Sequence, residues 1–275
     1  MRLPTPVELT CADPNAPCQL PNAFLADPAL KQVVGKTVEL GARGDTSDAF
    51  TWNAALFNTN LDDDIQFISA GSGASNAGFF QNGGKTRRRG VELGGHAQIG
   101  AFRLLANYSY VEAAFLSSFT VNSPNNSSAD ANGTIQVSPG DRIPGIPAQA
   151  VELHAEYSFR QTLMVGVNVN HLSDQYARGD ENNQDRNGKV PGYTLVNLDA
   201  SYQATRAPRL FGRVQNLFDR DYEAFGLLGE NDFVTGSFTP TAGRPEPFFA
   251  VGAPRGFWIG LRYEFDKPKG AAKTD

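Results

Sequence analysis

The stretch Val151-Glu152-Leu153-His154-Ala155-Glu156-Tyr157-Ser158-Phe159 places an apolar residue at every odd position and a polar one at every even position. Side chains of a strand point to alternate faces, so a period of two predicts a strand with one apolar and one polar face. Phe257-Trp258-Ile259-Gly260-Leu261-Arg262-Tyr263-Glu264-Phe265 repeats the pattern, with Trp258 the one large apolar residue on the polar side. Val38 to Ala42, Leu104 to Tyr110 and Leu163 to Val169 carry it as well. Leu210, Gly212 and Val214 follow it less cleanly, because Phe211 falls among the polar partners. The three-and-four spacing of an amphipathic helix runs nowhere at useful length.

Outward from this stretch, about nine strands are expected, near 36–44, 50–68, 78–99, 102–119, 148–159, 163–177, 192–203, 209–224 and 255–265. Their connections alternate in length. Gly44-Asp45-Thr46-Ser47, Gly100-Ala101, Arg160-Gln161-Thr162 and Thr205-Arg206-Ala207-Pro208 are short. Pro124 to Pro147, Gly179 to Pro191 and Gly226 to Pro254 are long and rich in Asn, Asp, Ser, Gly and Pro. A soluble sandwich has no reason to sort its connections in this way. A transmembrane barrel does, with short turns on the periplasmic side and long loops outside. About 9–11 residues cross a bilayer as a tilted strand, so the longer segments are expected to rise above it.

Composition agrees. Of 275 residues, 40% are hydrophobic and only 19% charged, against roughly 25% charged in soluble domains. A net charge of −5 offers no basic surface for nucleic acid. No run approaches the roughly 18 uninterrupted apolar residues of a spanning helix, which excludes a helical membrane protein but not a barrel. Two cysteines are too few for a disulfide scaffold or a structural zinc site. Cys11 and Cys18 are nevertheless close enough, with Pro14 and Pro17 bending the chain between them, to pair within a loop.

Three ordered motifs then resemble a known family. Val214-Gln215-Asn216-Leu217-Phe218-Asp219-Arg220-Asp221-Tyr222-Glu223 resembles the penultimate-strand signature of TonB-dependent receptors, carried by Asn216, Leu217, Phe218, Asp219 and Tyr222. Phe257, Ile259, Leu261, Tyr263 and Phe265 resemble the family's aromatic-ending assembly signal. Phe80-Gln81-Asn82-Gly83-Gly84-Lys85-Thr86-Arg87-Arg88-Arg89-Gly90-Val91-Glu92-Leu93 is similar to one of its internal strands. The resemblance implies an all-β, antiparallel up-and-down transmembrane barrel segment, part of a 22-stranded barrel closed by an N-terminal plug. It implies gated uptake of a small siderophore-like ligand across the Gram-negative outer membrane, with no enzyme chemistry and no cofactor. The implied partners are outer-membrane lipid and lipopolysaccharide, the outer-membrane assembly machinery, and TonB only through a preceding part; no nucleic acid is expected.

Within that frame, residues 1–35 are expected as an outer loop, 36–265 as the C-terminal barrel portion and 266–275 as a polar tail. The chain by itself is expected not to transport, because plug and TonB-contacting segment are not among these motifs. A passive porin-like or structural barrel is the alternative, and an enzyme built on a barrel ranks third. No G-x-S-x-G elbow occurs.

The remaining polar residues read as follows. His96, His154 and His171 lie on different strands without a partner at ligand spacing. His154 shares the polar face with Glu152 and Glu156, a lumen position. Asn183-Gln184-Asp185-Arg186-Asn187-Gly188 imitates half a calcium loop, but Thr194 stands where the bidentate acid belongs. Asp62-Asp63-Asp64 reads as a solvated acidic strand end. Lys85, Arg87 and Arg89, with Arg88 between them, form a basic run suited to lipopolysaccharide phosphate. Counting from Val91 puts Arg87 and Arg89 on the apolar parity, so the strand is expected to have left the hydrocarbon there.

Overall fold

The computed structural model describes residues 30–47, 49–69, 78–160, 162–187, 189–203, 208–234, 237–238 and 243–263. The alternating segments form β1 Val34–Ser47, β2 Phe50–Asp62, β3 Thr86–Ile99, β4 Phe102–Phe115, β5 Gln149–Phe159, β6 Leu163–Leu172, β7 Tyr193–Tyr202, β8 Pro208–Gln215 and β9 Gly256–Tyr263. Each pairs antiparallel with the next in chain order, giving one nine-stranded meander. Among the described residues β1 and β9 are its two edges.

The register keeps apolar residues together across the sheet. Phe50, Ala97, Leu104, Ala155, Val167, Leu198, Val214 and Phe257 stand in one row from β2 to β9. Neighbouring rows on this face hold Trp52, Leu153, Val169 and Val196, then Ile99, Phe102, Tyr157 and Val165. The opposite face carries polar rows such as Asn53, Gly94, Asn107, Glu152 and Asn170. A slip of one residue anywhere would exchange the faces. The expected split of Val151, Leu153, Ala155 and Tyr157 from Glu152, His154 and Glu156 is therefore present as two faces.

Among the described residues nothing packs on the apolar face. Val38, Leu40, Ile99, Phe257, Ile259 and Leu261 are 61–84% exposed. Contiguous apolar surface on this scale is foreign to a water-facing monomer. The buried apolar residues lie elsewhere: Phe115, Val121, Ile135 and Val137 cluster beyond the end of β4, with Phe119, Ala129 and Ile143 against them.

The two ends of the sheet differ as the connection lengths predict. Connections of two to five residues join β1 to β2, β3 to β4, β5 to β6 and β7 to β8 at one end. Gly100 takes φ 60 in the second of these, a left-handed conformation that glycine adopts without strain. The long connections share the other end.

Several expected strands prove shorter. The segment expected at 50–68 breaks after Asp62, where Asp63 turns at φ 55, and resumes as the hairpin Ile65–Ser69 with Gly78–Asn82. The segment expected at 209–224 stops at Gln215, because Asn216 and Asp219 adopt φ 49 and 51. The aromatics out of phase also find a reason. Phe211 is paired with Gly260, and a β-carbon there would collide with its ring, as one at Gly256 would with Trp258. Glycine gives each ring room to lie over the backbone of the polar face. Cys11, Cys18, Phe265 and 266–275 lie outside the described residues.

Candidate functional site

The long connections are tied to one another. Phe119–Asn122 pairs with Thr134–Val137, Gln175–Tyr176 with Lys189–Val190, and Glu223–Asn231 with Arg244–Val251. Ser123 Oγ and Asn126 Nδ2 both donate to Gly179 O, at 2.7 and 3.0 Å. Ser127 N–H donates to Asp185 Oδ2 at 2.8 Å. Arg178 N–H donates to Gly226 O at 2.9 Å, and Leu228 N–H returns a bond to Arg178 O at 2.8 Å. Three connections thus form one hydrogen-bonded unit over the small apolar cluster.

Asp180 holds this unit from inside. It is 1% exposed, and its Oδ1 accepts from Gln184 N–H, Asp185 N–H and Asn126 Nδ2 at 2.8, 2.9 and 3.2 Å. Its Oδ2 is buried without a hydrogen-bond partner. Burial pushes the Asp180 carboxyl above its ordinary pKa, against those three donors. Glu181 is similar: Oε1 accepts from Gly179 N–H at 3.0 Å and Oε2 is buried and unpartnered. Burial again pushes its carboxyl up, and the Arg178 charge opposes the shift.

A cavity of about 310 Å³ opens beside this pair. Gln66, Phe115, Phe119, Phe225, Arg178 and Glu181 line it, so four long connections contribute. Phe115 and Phe119 meet edge to face with centroids 5.1 Å apart. Rings with one cation and one carboxylate can hold a small ligand by apolar contact and fix its orientation by hydrogen bonds. A wider hollow of about 630 Å³ includes the polar-face residues Asn53, Glu92, Asn107, Glu152, Asn170 and Tyr193.

The signature residues lie apart from the cavity and form a knot at the end of β8. Asn216 is 4% exposed. Its Nδ2 donates to Arg220 O and Ala253 O at 2.9 and 3.2 Å, and its Oδ1 accepts from Arg220 N–H at 2.9 Å. Asp219 accepts from Arg255 N–H at 2.9 Å, and Leu217 N–H donates to Val196 O at 2.8 Å. The Tyr222 ring lies 4.5 Å from that of Tyr193, and its hydroxyl accepts from Ala253 N–H at 3.2 Å. Phe218 is 72% exposed. Phe257, Ile259, Leu261 and Tyr263 occupy the apolar face of β9.

The basic run divides between faces. Arg87 and Arg89 stand on the apolar parity, both bonded to Glu112 at 2.8 and 2.9 Å. Arg88 turns to the polar face beside Asp64. Asp64 is not solvated, contrary to the expectation for the acidic run: it is 5% exposed and accepts from Thr86 Oγ1 at 2.6 Å. His154 shares a 3.0 Å hydrogen bond with Asn168 on the polar face, and His171 one of 2.9 Å with Thr194. Among the described residues no three His, Cys, Asp or Glu side chains converge as a metal set.

Sequence reasoning missed Arg178, Glu181, Phe225 and Gln66. They come from three connections without periodicity, and only the Arg178-Glu181 spacing is local.

Comparison with known proteins places these observations in context. The model of the family described as TonB dependent receptor-like, beta-barrel matches residues 1–217. The metal-pseudopaline receptor CntO of Pseudomonas aeruginosa is 27% identical over 149 residues, 54% of this chain and 19% of that protein. Among solved structures, the siderophore receptor PiuA from Acinetobacter baumannii superposes with a TM-score of 0.60 at 19% identity, covering 83% of this chain and 28% of that one. The copper transporter OprC gives 0.61 at 22% identity, covering 96% and 36%. These structural likenesses speak to the fold, and the chain spans about a fifth of the length of the curated relative it matches.

Proposed function

The chain belongs to the TonB-dependent receptor-like β-barrel family, and from that premise we propose that it builds barrel wall and outer loops of an outer-membrane receptor for a siderophore-like metal chelate. The family is one of receptors and transporters, so the work is binding and passage without bond chemistry.

One observation carries the reading: four long connections converge on a single cavity at one end of a two-faced wall. In the proposed arrangement the apolar face meets lipid and the polar face lines the lumen. The stretch from Val91 to Ile99 gives ~26 Å of strand at ~3.3 Å per residue, which at the ~35–45° tilt of barrel strands covers ~20 Å of the ~25 Å apolar band of outer-membrane barrels. Residues 36–265 form the wall, 1–35 an outer loop and 266–275 a tail. The apolar side chains of β9 and Phe265 serve assembly. Energy reaches the receptor through a TonB-contacting part outside this chain. The cross-tied loops favour a shaped receptor mouth over an open pore.

The test is uptake. The full receptor carrying this chain is expressed in a receptor-deficient strain, and entry of radiolabelled metal chelates is followed with and without TonB. TonB-dependent uptake that falls at least tenfold in Phe225→Ala/Arg178→Ala, at unchanged amounts of inserted barrel, is expected. TonB-independent equilibration of any small solute would make the barrel a passive pore and overturn the proposal.

A further inference from the structure

Among the described residues, three of the side chains around the cavity of about 310 Å³ are polar: Gln66, Arg178 and Glu181. A guanidinium only donates hydrogen bonds. Glu181 has little to offer a guest, because its Oε1 accepts from Gly179 N–H at 3.0 Å and its Oε2 is buried. The side-chain acceptor that a ligand meets is therefore decided by Gln66, whose amide accepts at one end and donates at the other.

Which end is left for the ligand is fixed from behind. Gln66 Nε2 donates to Asp64 Oδ2 at 3.2 Å. A carboxylate only accepts, so the Gln66 atom against it is the nitrogen, and Oε1 is the end left for a guest. Asp64 is itself held on every side. It is buried, and its Oδ2 also accepts from Thr86 Oγ1 at 2.6 Å and bridges Arg88 at 3.4 Å. Its N–H donates to Gly84 O and its carbonyl accepts from Gly83 N–H, both at 2.8 Å. Gly83 has a second part in this. A β-carbon there would stand 2.7 Å from Gln66 Cγ, so glycine leaves the side chain its place. Asp64 and Gly83 thus hold one amide in one orientation, and a ligand need not spend its own affinity on ordering it.

We propose that Gln66 is a specificity-determining residue of this cavity, positioned by Asp64 and Gly83, and that its Oε1 accepts from an amide N–H of the ligand. The proposal deepens, and rests on, the reading that the cavity receives a metal chelate. The ligand class follows from the complement of the site. Carboxylate and catecholate groups bound to a metal present oxygen acceptors, which suit Arg178 and repel Gln66 Oε1. An amide brings an acceptor and a donor together, and the rings of Phe115, Phe119 and Phe225 suit the apolar linkers between amides. A site built around a hydrogen bond rejects an analogue that lacks the matching group. The cavity accordingly selects an amide-bearing chelate over an acceptor-only one.

The experiment uses the full receptor carrying this chain, purified in detergent, and a pair of iron(III) probes. One is a linear trihydroxamate complex whose backbone amides carry N–H; the other is the same complex N-methylated at those amides. Metal coordination is common to both, so the ratio of their affinities, read from quenching of protein fluorescence, isolates the amide donor. One net hydrogen bond corresponds to roughly two- to tenfold in affinity, and the receptor should favour the N–H complex by at least that factor. Gln66→Leu should reduce the ratio by the same factor, chiefly by weakening the N–H complex. Asp64→Asn frees the amide to turn and should shrink the ratio with Gln66 still present. General damage to the fold weakens both complexes alike and leaves the ratio standing. An unchanged ratio in Gln66→Leu, or an unmutated receptor that binds both probes equally or neither, overturns the proposal. If Phe225→Ala weakens both probes while the ratio fails, only the role of Gln66 is wrong; if Phe225→Ala leaves both affinities untouched, the reading of the cavity falls too.

Discussion

Asn216 offers the sharpest test of how the loop end is held. Its side chain makes three hydrogen bonds, to Arg220 O, Ala253 O and Arg220 N–H, across the connection between β8 and β9. A side-chain hydrogen bond contributes a net ~0.5–1.5 kcal/mol, so the three are worth about 1.5–4.5 kcal/mol to this knot. Asn216 also sits at φ 49, where a residue with a β-carbon other than Asn or Asp loses a further ~1–2 kcal/mol. Asn216→Gly removes the first contribution and escapes the second. Asn216→Ala suffers both. Asn216→Asp keeps the acceptor but aims a buried carboxylate at two carbonyl oxygens, and should cost at least as much as alanine. Amide hydrogen exchange of peptides covering 216–223 and 250–256 measures the opening. At ~1.4 kcal/mol per decade, exchange should quicken about a hundredfold or more in the alanine variant, less in glycine. Unchanged exchange in Asn216→Ala, or faster exchange in Asn216→Gly than in Asn216→Ala, would refute the reasoning.

Acid should affect two loops in opposite directions. Burial raises the Asp180 carboxyl, so the folded loop binds its proton more tightly than the unfolded chain. Protection of 177–187 should rise as pH falls from neutral toward the ordinary Asp value, and that change should shrink in Asp180→Asn. Thr134 and Asn132 lower the Asp130 carboxyl by hydrogen bonding. Its contribution is present above the ordinary Asp pKa and lost as pH falls through the folded value, so the turn at 130–134 should loosen in acid; exchange at both sites against pH checks the signs. Gly252→Ala should free Tyr222 from Tyr193, because a β-carbon at Gly252 would enter the Tyr222 ring; unchanged tyrosine fluorescence would contradict this. Cys11 and Cys18 should resist alkylation on exported protein until a reductant is added, and mass spectrometry finding two alkylated thiols without reductant would reject the disulfide.

The wall was legible because one of its faces is apolar and the other polar, which writes a period of two into β5 and β9. The contrast between the Gly100 turn and the long 116–148 connection disclosed which ends match. The breaks were not legible. Nothing local marks Asp63 and Asn216 as left-handed, since Asn and Asp populate both ordinary and positive φ. Phe211 and Trp258 looked out of phase because the room each ring takes, over Gly260 on the neighbouring strand and over Gly256 two residues back on its own, shows only in the packed sheet. The signature at 216–222 was recognised as a motif, while its role as a knot depended on Ala253 and Arg255, more than thirty residues away. The cavity left no trace in the sequence: Gln66, Phe115, Arg178 and Phe225 are brought together by loop–loop hydrogen bonds, and such contacts have no period to read.

The central claim is that one face of this sheet lies in lipid and the other in water. Single cysteines carrying nitroxide spin labels, placed in turn at positions 151 to 159 with Cys11 and Cys18 replaced by serine, report this directly in reconstituted bilayers. Collisions with dissolved oxygen should peak at 151, 153, 155 and 157, and collisions with a water-soluble nickel chelate at 152, 154 and 156, out of phase with a period of two. Profiles that rise and fall together along the stretch, or a nickel maximum at 153 and 155, would contradict the account.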